Sequence, residues 1–389
     1  MTKRASVLIL LVFLSPSLFG DPAVLQTYMQ RFNRGDMTVK AQTLRSAASD
    51  NRLNESAGLL FEYALNYALE NYIHMDNLSG MNNIIDLSVR GLRNTSGGNH
   101  NLMWRLFLEY PETSVRARIM VALGTLGKND GYIINNINNY LTEMNYLFLS
   151  GNNIDYQIVS ACIAALMELG DSSSYPVLFS VMCAGYPEVI ASEASGAIDQ
   201  IDGNLKQFLY NIIERNPPEE KFIAFKAGMN SDRLSSSERG QLAEFALQQA
   251  LAAYGDNADL RAMRYSAIWT LTYLRWTSAS TLAIDHYFRV LEDYVKGDVS
   301  KTRLIEAIAC LGAVGNSDAA LVLGLQLGLI NSGTEGTRLF DTDITITIIQ
   351  ALGLIGSSSV YDHLLYTSIF SGNDNIRAAA KEAINQLKW

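Results

Sequence analysis

Apolar positions along the second half of the chain recur four before, at, and three after a repeated anchor residue. They read as Ile119/Leu123/Leu126, Cys162/Leu166/Leu169, Ala267/Leu271/Leu274 and Ile348/Leu352/Ile355. That spacing is the buried stripe of an amphipathic helix. The residue before each anchor is small in nearly every copy: Ala122-Leu123, Ala165-Leu166, Ala197-Ile198, Thr270-Leu271, Cys310-Leu311, Ala351-Leu352 and Ala383-Ile384. A small side chain there lets a neighbouring helix approach closely. Four copies then stop on glycine, at Gly127, Gly170, Gly315 and Gly356, which suits a left-handed helix end. Asp171-Ser172, Asn316-Ser317-Asp318 and Ser357-Ser358 follow at once as caps for the next helix.

A second punctuation lies upstream of the anchors, at Ser150-Gly151-Asn152, Ser332-Gly333-Thr334 and Ser371-Gly372-Asn373, with Gly297-Asp298 in the corresponding place. These turn residues divide each unit into two helices. The pairs predicted are 132–149 with 154–169, 175–184 with 188–201, 237–254 with 259–275, 282–296 with 300–314, 318–330 with 343–355, and 360–370 with 375–387. No single unit buries its own apolar face, so the units must stack. The fold expected is all-α: an α-solenoid, or superhelix, of stacked antiparallel helix pairs spanning residues 100–389.

The pattern weakens near residues 203–235, where Pro217-Pro218 separates two helical stretches; this reads as a degenerate repeat or a change of curvature rather than a domain boundary. Residues 21–99 are also helical in pattern but fit the anchor poorly, and are assigned as an N-terminal helical cap.

Three copies carry an apolar-arginine pair seven residues before the anchor: Val115-Arg116, Met263-Arg264 and Ile376-Arg377. With Ala122-Leu123-Gly124-Thr125-Leu126-Gly127 and Ala383-Ile384, these residues resemble the HEAT family of helical repeats, including its bacterial HEAT-like members. The resemblance implies that the arginines tie neighbouring repeats together through an acidic side chain or a carbonyl. The other copies have Val159, Ala191, Leu304 and Thr345 at that position, so a continuous arginine ladder is not expected.

Composition adds the compartment. Residues 1–20 read as a secretory signal peptide, with Lys3 and Arg4 before an apolar run from Val7 to Leu14 and a break at Pro16-Ser17. An exported chain, periplasmic or extracellular, is the expectation; an uncleaved N-terminal anchor is the alternative. No later run reaches the roughly 20 apolar residues of a membrane span. Loss of Lys3 and Arg4 would leave 28 basic against 39 acidic residues, a formal charge of −11 rather than the −9 of the whole chain. Such a balance disfavours nucleic acid as a partner. Cys162 and Cys310 fall at core positions, which suits buried thiols, while a bridge from Cys162 to Cys183 on the next helix stays open.

Candidate chemistry is sparse. The four histidines are scattered, and no HExxH, CxxC, GxSxG or GxxxxGK[ST] occurs. No catalytic residue, metal or cofactor is assigned. The long 331–343 loop carries Glu335, Asp341 and Asp343, which could ligate Ca²⁺ or, for the two aspartates, simply cap the following helix. The lead for partner binding is the helix 259–275, where Tyr265, Trp269 and Tyr273 share a face that extends to Trp276 and is flanked by Arg261 and Arg275. The function expected is a non-enzymatic protein-binding scaffold or assembly factor of the cell envelope. A HEAT-like enzyme or small-ligand carrier is the alternative that the resemblance implies.

Overall fold

The computed structural model of the protein describes residues 21–95, 98–253, 257–333 and 341–389. The expected signal segment 1–20 and residues 334–340 of the long loop, Glu335 among them, lie outside the described residues. The chain forms two compact units, one ending at Gly203 and one beginning at Asn204. The change falls at the start of the stretch where the repeat pattern weakens.

The first unit contains α1 (Pro22–Arg34), α2 (Met37–Ala48), α3 (Ala57–Asn71), α4 (Ser79–Arg93), α5 (His100–Glu109), α6 (Thr113–Leu126), α7 (Gly131–Leu149), α8 (Tyr156–Leu169), α9 (Tyr175–Cys183) and α10 (Glu188–Gln200). The second contains α11 (Leu205–Arg215), α12 (Pro218–Asn230), α13 (Ser236–Ala252), α14 (Ala258–Leu274), α15 (Ser280–Lys296), α16 (Lys301–Val314), α17 (Ser317–Asn331), α18 (Thr342–Ile355), α19 (Tyr361–Phe370) and α20 (Asp374–Asn385). In each unit every odd helix packs on the even helix that follows it, odd helices contact odd and even contact even. Short connections fold each pair back on itself. The architecture is therefore an all-α solenoid of stacked helix pairs, and each predicted pair is present with ends shifted by a few residues at most. Residues 21–95, which fit the anchor poorly, are built of two such pairs, with α2 and α4 in the same layer as α6.

Local chemistry starts the helices where the sequence places caps. Asp155, Asn316, Asp341 and Asn373 each accept backbone N–H groups of the first turn. Asp171 and Ser357 do the same for short 3₁₀ turns that lead into α9 and α19. The glycine stops behave in two ways. Gly170 and Gly356 adopt φ of +72° and +74°, the expected left-handed ends, whereas Gly127 and Gly315 have φ of −81° and −70°. At these two, glycine is needed for space instead: a Cβ would lie 2.7 Å from Leu123 O and 3.0 Å from Ile133 at Gly127, and 2.2 Å from Leu311 O at Gly315. In α14 the left-handed position is taken by Arg275, at φ +50°.

The anchors Leu123, Leu166, Ile198, Leu271, Leu311 and Leu352 are buried, as are the small residues before them. Ile384, in α20, is only partly covered. What the small residue accommodates is backbone. Gly124 of α6 stands against Ala165 of α8, Gly312 of α16 against Ala351 of α18, and Gly353 of α18 against Ala383 of α20. In each case a glycine two residues after one small position seats the small position of the next copy, so the even helices touch almost backbone to backbone. Helices that close bury their anchors in a shared layer without leaving voids.

Candidate functional site

The even helices of the first unit leave a groove of about 710 Å³ on the face turned away from their anchors, a volume within the range of roughly 300–1,000 Å³ typical of ligand sites. Its lining repeats with the helices. Arg118, Ala161 and Glu193 each lie five residues before their anchor, and Val121, Ala164 and Gly196 each lie two before. Helical geometry at 100° per residue puts both registers on one side. The apolar lining mixes the small residues Ala117, Ala161, Ala164 and Gly196 with Val89, Val121, Ile163 and Met167; the polar lining includes Ser160, Gln157 and Gln200.

Charge is distributed unevenly along the groove. On the α4 and α6 side, Arg118 Nε donates to Asp86 Oδ1 at 2.6 Å and Arg93 donates to Thr125 Oγ1 at 3.0 Å. Arg90 lies beside them without an ion-pair partner among the described residues, and Glu193 on α10 is likewise unpaired. Three guanidiniums against one paired and one distant carboxylate make the α4–α6 wall locally basic in an acidic chain. The sequence reading missed these residues. Their signal was the non-core register of each repeat, which is visible only once the helix pairs are known to stack in phase.

The aromatic set on α14 is divided by the structure. Trp269 and Tyr273 are exposed, at 70% and 76%, and their rings lie parallel with centroids 5.7 Å apart. Tyr265 and Trp276 are half-buried and already engaged. Arg303 lies 4.3 Å above the Tyr265 ring, whose edge meets His286 at 5.6 Å between centroids. Trp276 Nε1 donates to Glu244 Oε2 at 2.7 Å, and its ring covers Gly240, where a Cβ would stand 2.5 Å away. Arg275 is exposed and Arg261 half-buried. The continuous aromatic face expected over 265–276 is thus a two-residue platform, because α13 covers Trp276 and residues of α15 and α16 cover Tyr265.

The three family-like arginines differ in what they hold. Arg116 Nε donates to Phe107 O at 2.8 Å, its Nη2 donates to Tyr140 Oη of α7 at 3.1 Å, and its guanidinium lies 4.9 Å from the Phe107 ring. It therefore joins one pair to the next. Arg264 is buried and reaches Asp293 of α15 at 3.9 Å, also across pairs. Arg377 stays local, donating to Ser371 O at 2.7 Å and to the neighbouring Asp374.

Around Arg264 sits a polar cluster that the sequence did not suggest. His286 is buried, and neither ring nitrogen makes a hydrogen bond to a described residue. Burial first, and then the charges of Arg264, Arg289 and Arg303, push its pKa down from 6.5 to about 3. The imidazole is accordingly neutral at ordinary pH.

Asp341 caps α18 and, with Asp343, receives Lys301 at 3.1 and 2.7 Å. Both described carboxylates of the long loop are therefore engaged in capping and ion pairing. Among the described residues no group of three His, Cys, Asp or Glu is placed to hold a metal ion. No disulfide joins Cys162 to Cys183; burial pushes the Cys162 thiol well above its ordinary value and that of Cys310 up to about 11. Among the described residues no helix is long and apolar enough to cross a membrane.

No family model and no curated protein matches the sequence. The chain aligns over 93% of its length, and over 100% of that chain, with a solved structure from work on a phosphorylation switch that controls the interaction between cadherin and beta-catenin, at 12% identity and a TM-score of 0.28. So loose a likeness carries no argument about this chain, and its fold rests on the helix contacts described above.

Proposed function

We propose that the protein is an exported, non-catalytic scaffold of the HEAT type, and that the groove of its first unit holds an extended segment of a protein partner. The observation that carries this reading is the lining itself: small residues set in phase on three successive even helices, α6, α8 and α10, with side chains able to hydrogen-bond along its rim. The alanines and glycine leave room for a polypeptide backbone, Val121, Ile163 and Met167 offer apolar contact, and Gln157 and Gln200 offer donors and acceptors. The basic α4–α6 wall favours an acidic segment there. Trp269 and Tyr273, at the even-helix layer of the second unit, supply a second contact of the exposed aromatic kind that anchors protein interfaces. The periplasm or extracellular space is the compartment, on the basis of the residue 1–20 pattern.

Photo-crosslinking from Gln157 and Ala164, with Tyr146 on α7 as the control position, tests the groove. The reading expects discrete protein adducts from the two groove positions, lost in Arg118→Glu, and none from Tyr146. Equal labelling from all three positions would remove the basis for it. Mass spectrometry of the native N-terminus tests export: a chain starting near Asp21 supports it, and an intact Met1 opposes it.

A further inference from the structure

Helix α17 is apolar on both sides, which a surface helix ordinarily is not. Its buried face supplies Leu323 and Leu327, and its solvent face supplies Leu321, Leu325 and Leu329, one above the other at every fourth residue. On α19, Tyr366, Ile369 and Phe370 are exposed as well. The two helices are drawn together by Gly324 and Gly328, where a Cβ would stand 2.9 Å from Val360 and 3.0 Å from His363. Asn331 locks their ends: it donates to His363 O at 3.3 Å and accepts from Thr367 Oγ1 at 3.0 Å. The Tyr366 and Phe370 rings meet at 4.8 Å between centroids. These contacts hold the two exposed apolar stripes side by side on a fixed support.

Six large side chains, each about half exposed or more, offer on the order of 600 Å² of apolar surface, at the upper end of what a monomer leaves to water. We propose that a second copy of this chain covers this face, forming a twofold dimer through α17 and α19. Area supports that occupant, since a stable interface takes about 800 Å² per partner and homodimer interfaces are the more apolar kind. So does charge. The only Asp, Glu, Lys or Arg residues on the two helices are Asp318 and Asp362, both in the first turn. The centre therefore presents no charge by which a different partner would be selected. A twofold axis that sets the two α17 helices antiparallel keeps the first turns of the copies apart, so the acidic residues of this −9 chain do not oppose one another at the contact.

Sedimentation equilibrium of the purified chain, from low micromolar to about 100 µM, reads the outcome. The wild type is expected to dimerise. Leu325→Glu and Phe370→Glu should each raise the dissociation constant at least about 100-fold with unchanged helical circular dichroism, as expected of central interface residues. Leu149→Glu, an equally exposed leucine on α7, should leave it unchanged. Should a glutamate variant lose its helical signal, Leu325→Ser gives the same comparison without adding charge. A wild type that stays monomeric throughout, even if a different protein is found on this face, overturns the proposal; so does a dimer that survives Leu325→Glu and Phe370→Glu.

Discussion

Gly124 and Ala165 meet across the α6–α8 interface so closely that a Cβ on Gly124 would lie 2.6 Å from Ala165 Cα and 2.9 Å from its carbonyl oxygen. The obstacle is backbone on both sides, so no side chain can rotate out of the way. Gly124→Ala is expected to separate the helices and lower stability by about 1–3 kcal/mol. Gly196, in mid-helix on α10, has open space where a Cβ would stand, with nothing within 4 Å. There the substitution to alanine should stabilise by up to about 1 kcal/mol. Urea midpoints of the two variants check this, and a shift of the same sign in both would contradict the backbone-contact account.

His286 gives the second unit an acid limit. Its pKa is about 3 folded and 6.5 in its ordinary state, so below pH 6.5 the unfolded chain binds a proton that the folded chain refuses. Stability contributed by the neutral imidazole is intact above pH 6.5 and falls as pH is lowered towards 3, by at most about 1.4 kcal/mol per pH unit. Thermal melts of wild type and His286→Phe between pH 7 and 4 test it. The variant should lose less stability over that range, and parallel pH profiles would show that His286 is not responsible.

Arg275 occupies the left-handed position where two other copies have glycine. Arg275→Gly relieves the clash of a Cβ with the following carbonyl and is expected to stabilise by about 1 kcal/mol. An increase of a few degrees in Tm is the expected reading; a decrease would mean that the arginine side chain contributes more than its backbone costs.

Among the family-like arginines, Arg116 should matter more than Arg377. Arg116→Met abandons the Phe107 carbonyl and Tyr140 hydroxyl, at a cost of about 1–3 kcal/mol. Arg377→Met loses a local, partly exposed set and should cost under about 1 kcal/mol. Denaturant titrations that rank the two in the opposite order would show that the cross-pair bonds are not the source of the effect.

Six of the helix pairs, their caps and most of their ends were legible in the sequence because they are local. Asn316 or Asp341 captures N–H groups two and three residues away, and the 3.6-residue period marks which side of each helix is apolar. The apolar anchors were legible for the same reason. Lateral relations were not. Only the packed molecule shows that Gly124 seats Ala165, that Gly127 and Gly315 serve for space rather than for a positive φ, and that Tyr265 and Trp276 are covered while Trp269 and Tyr273 face solvent. The groove was equally invisible, since Arg118, Ala161 and Glu193 share nothing in type and are related only by register between helices, at separations of 43 and 32 residues in sequence. Periodicity within one helix fixes the direction in which each side chain points. What stands there to meet it depends on the offset and crossing of the neighbouring helix, and those are set by close contacts between residues distant along the chain.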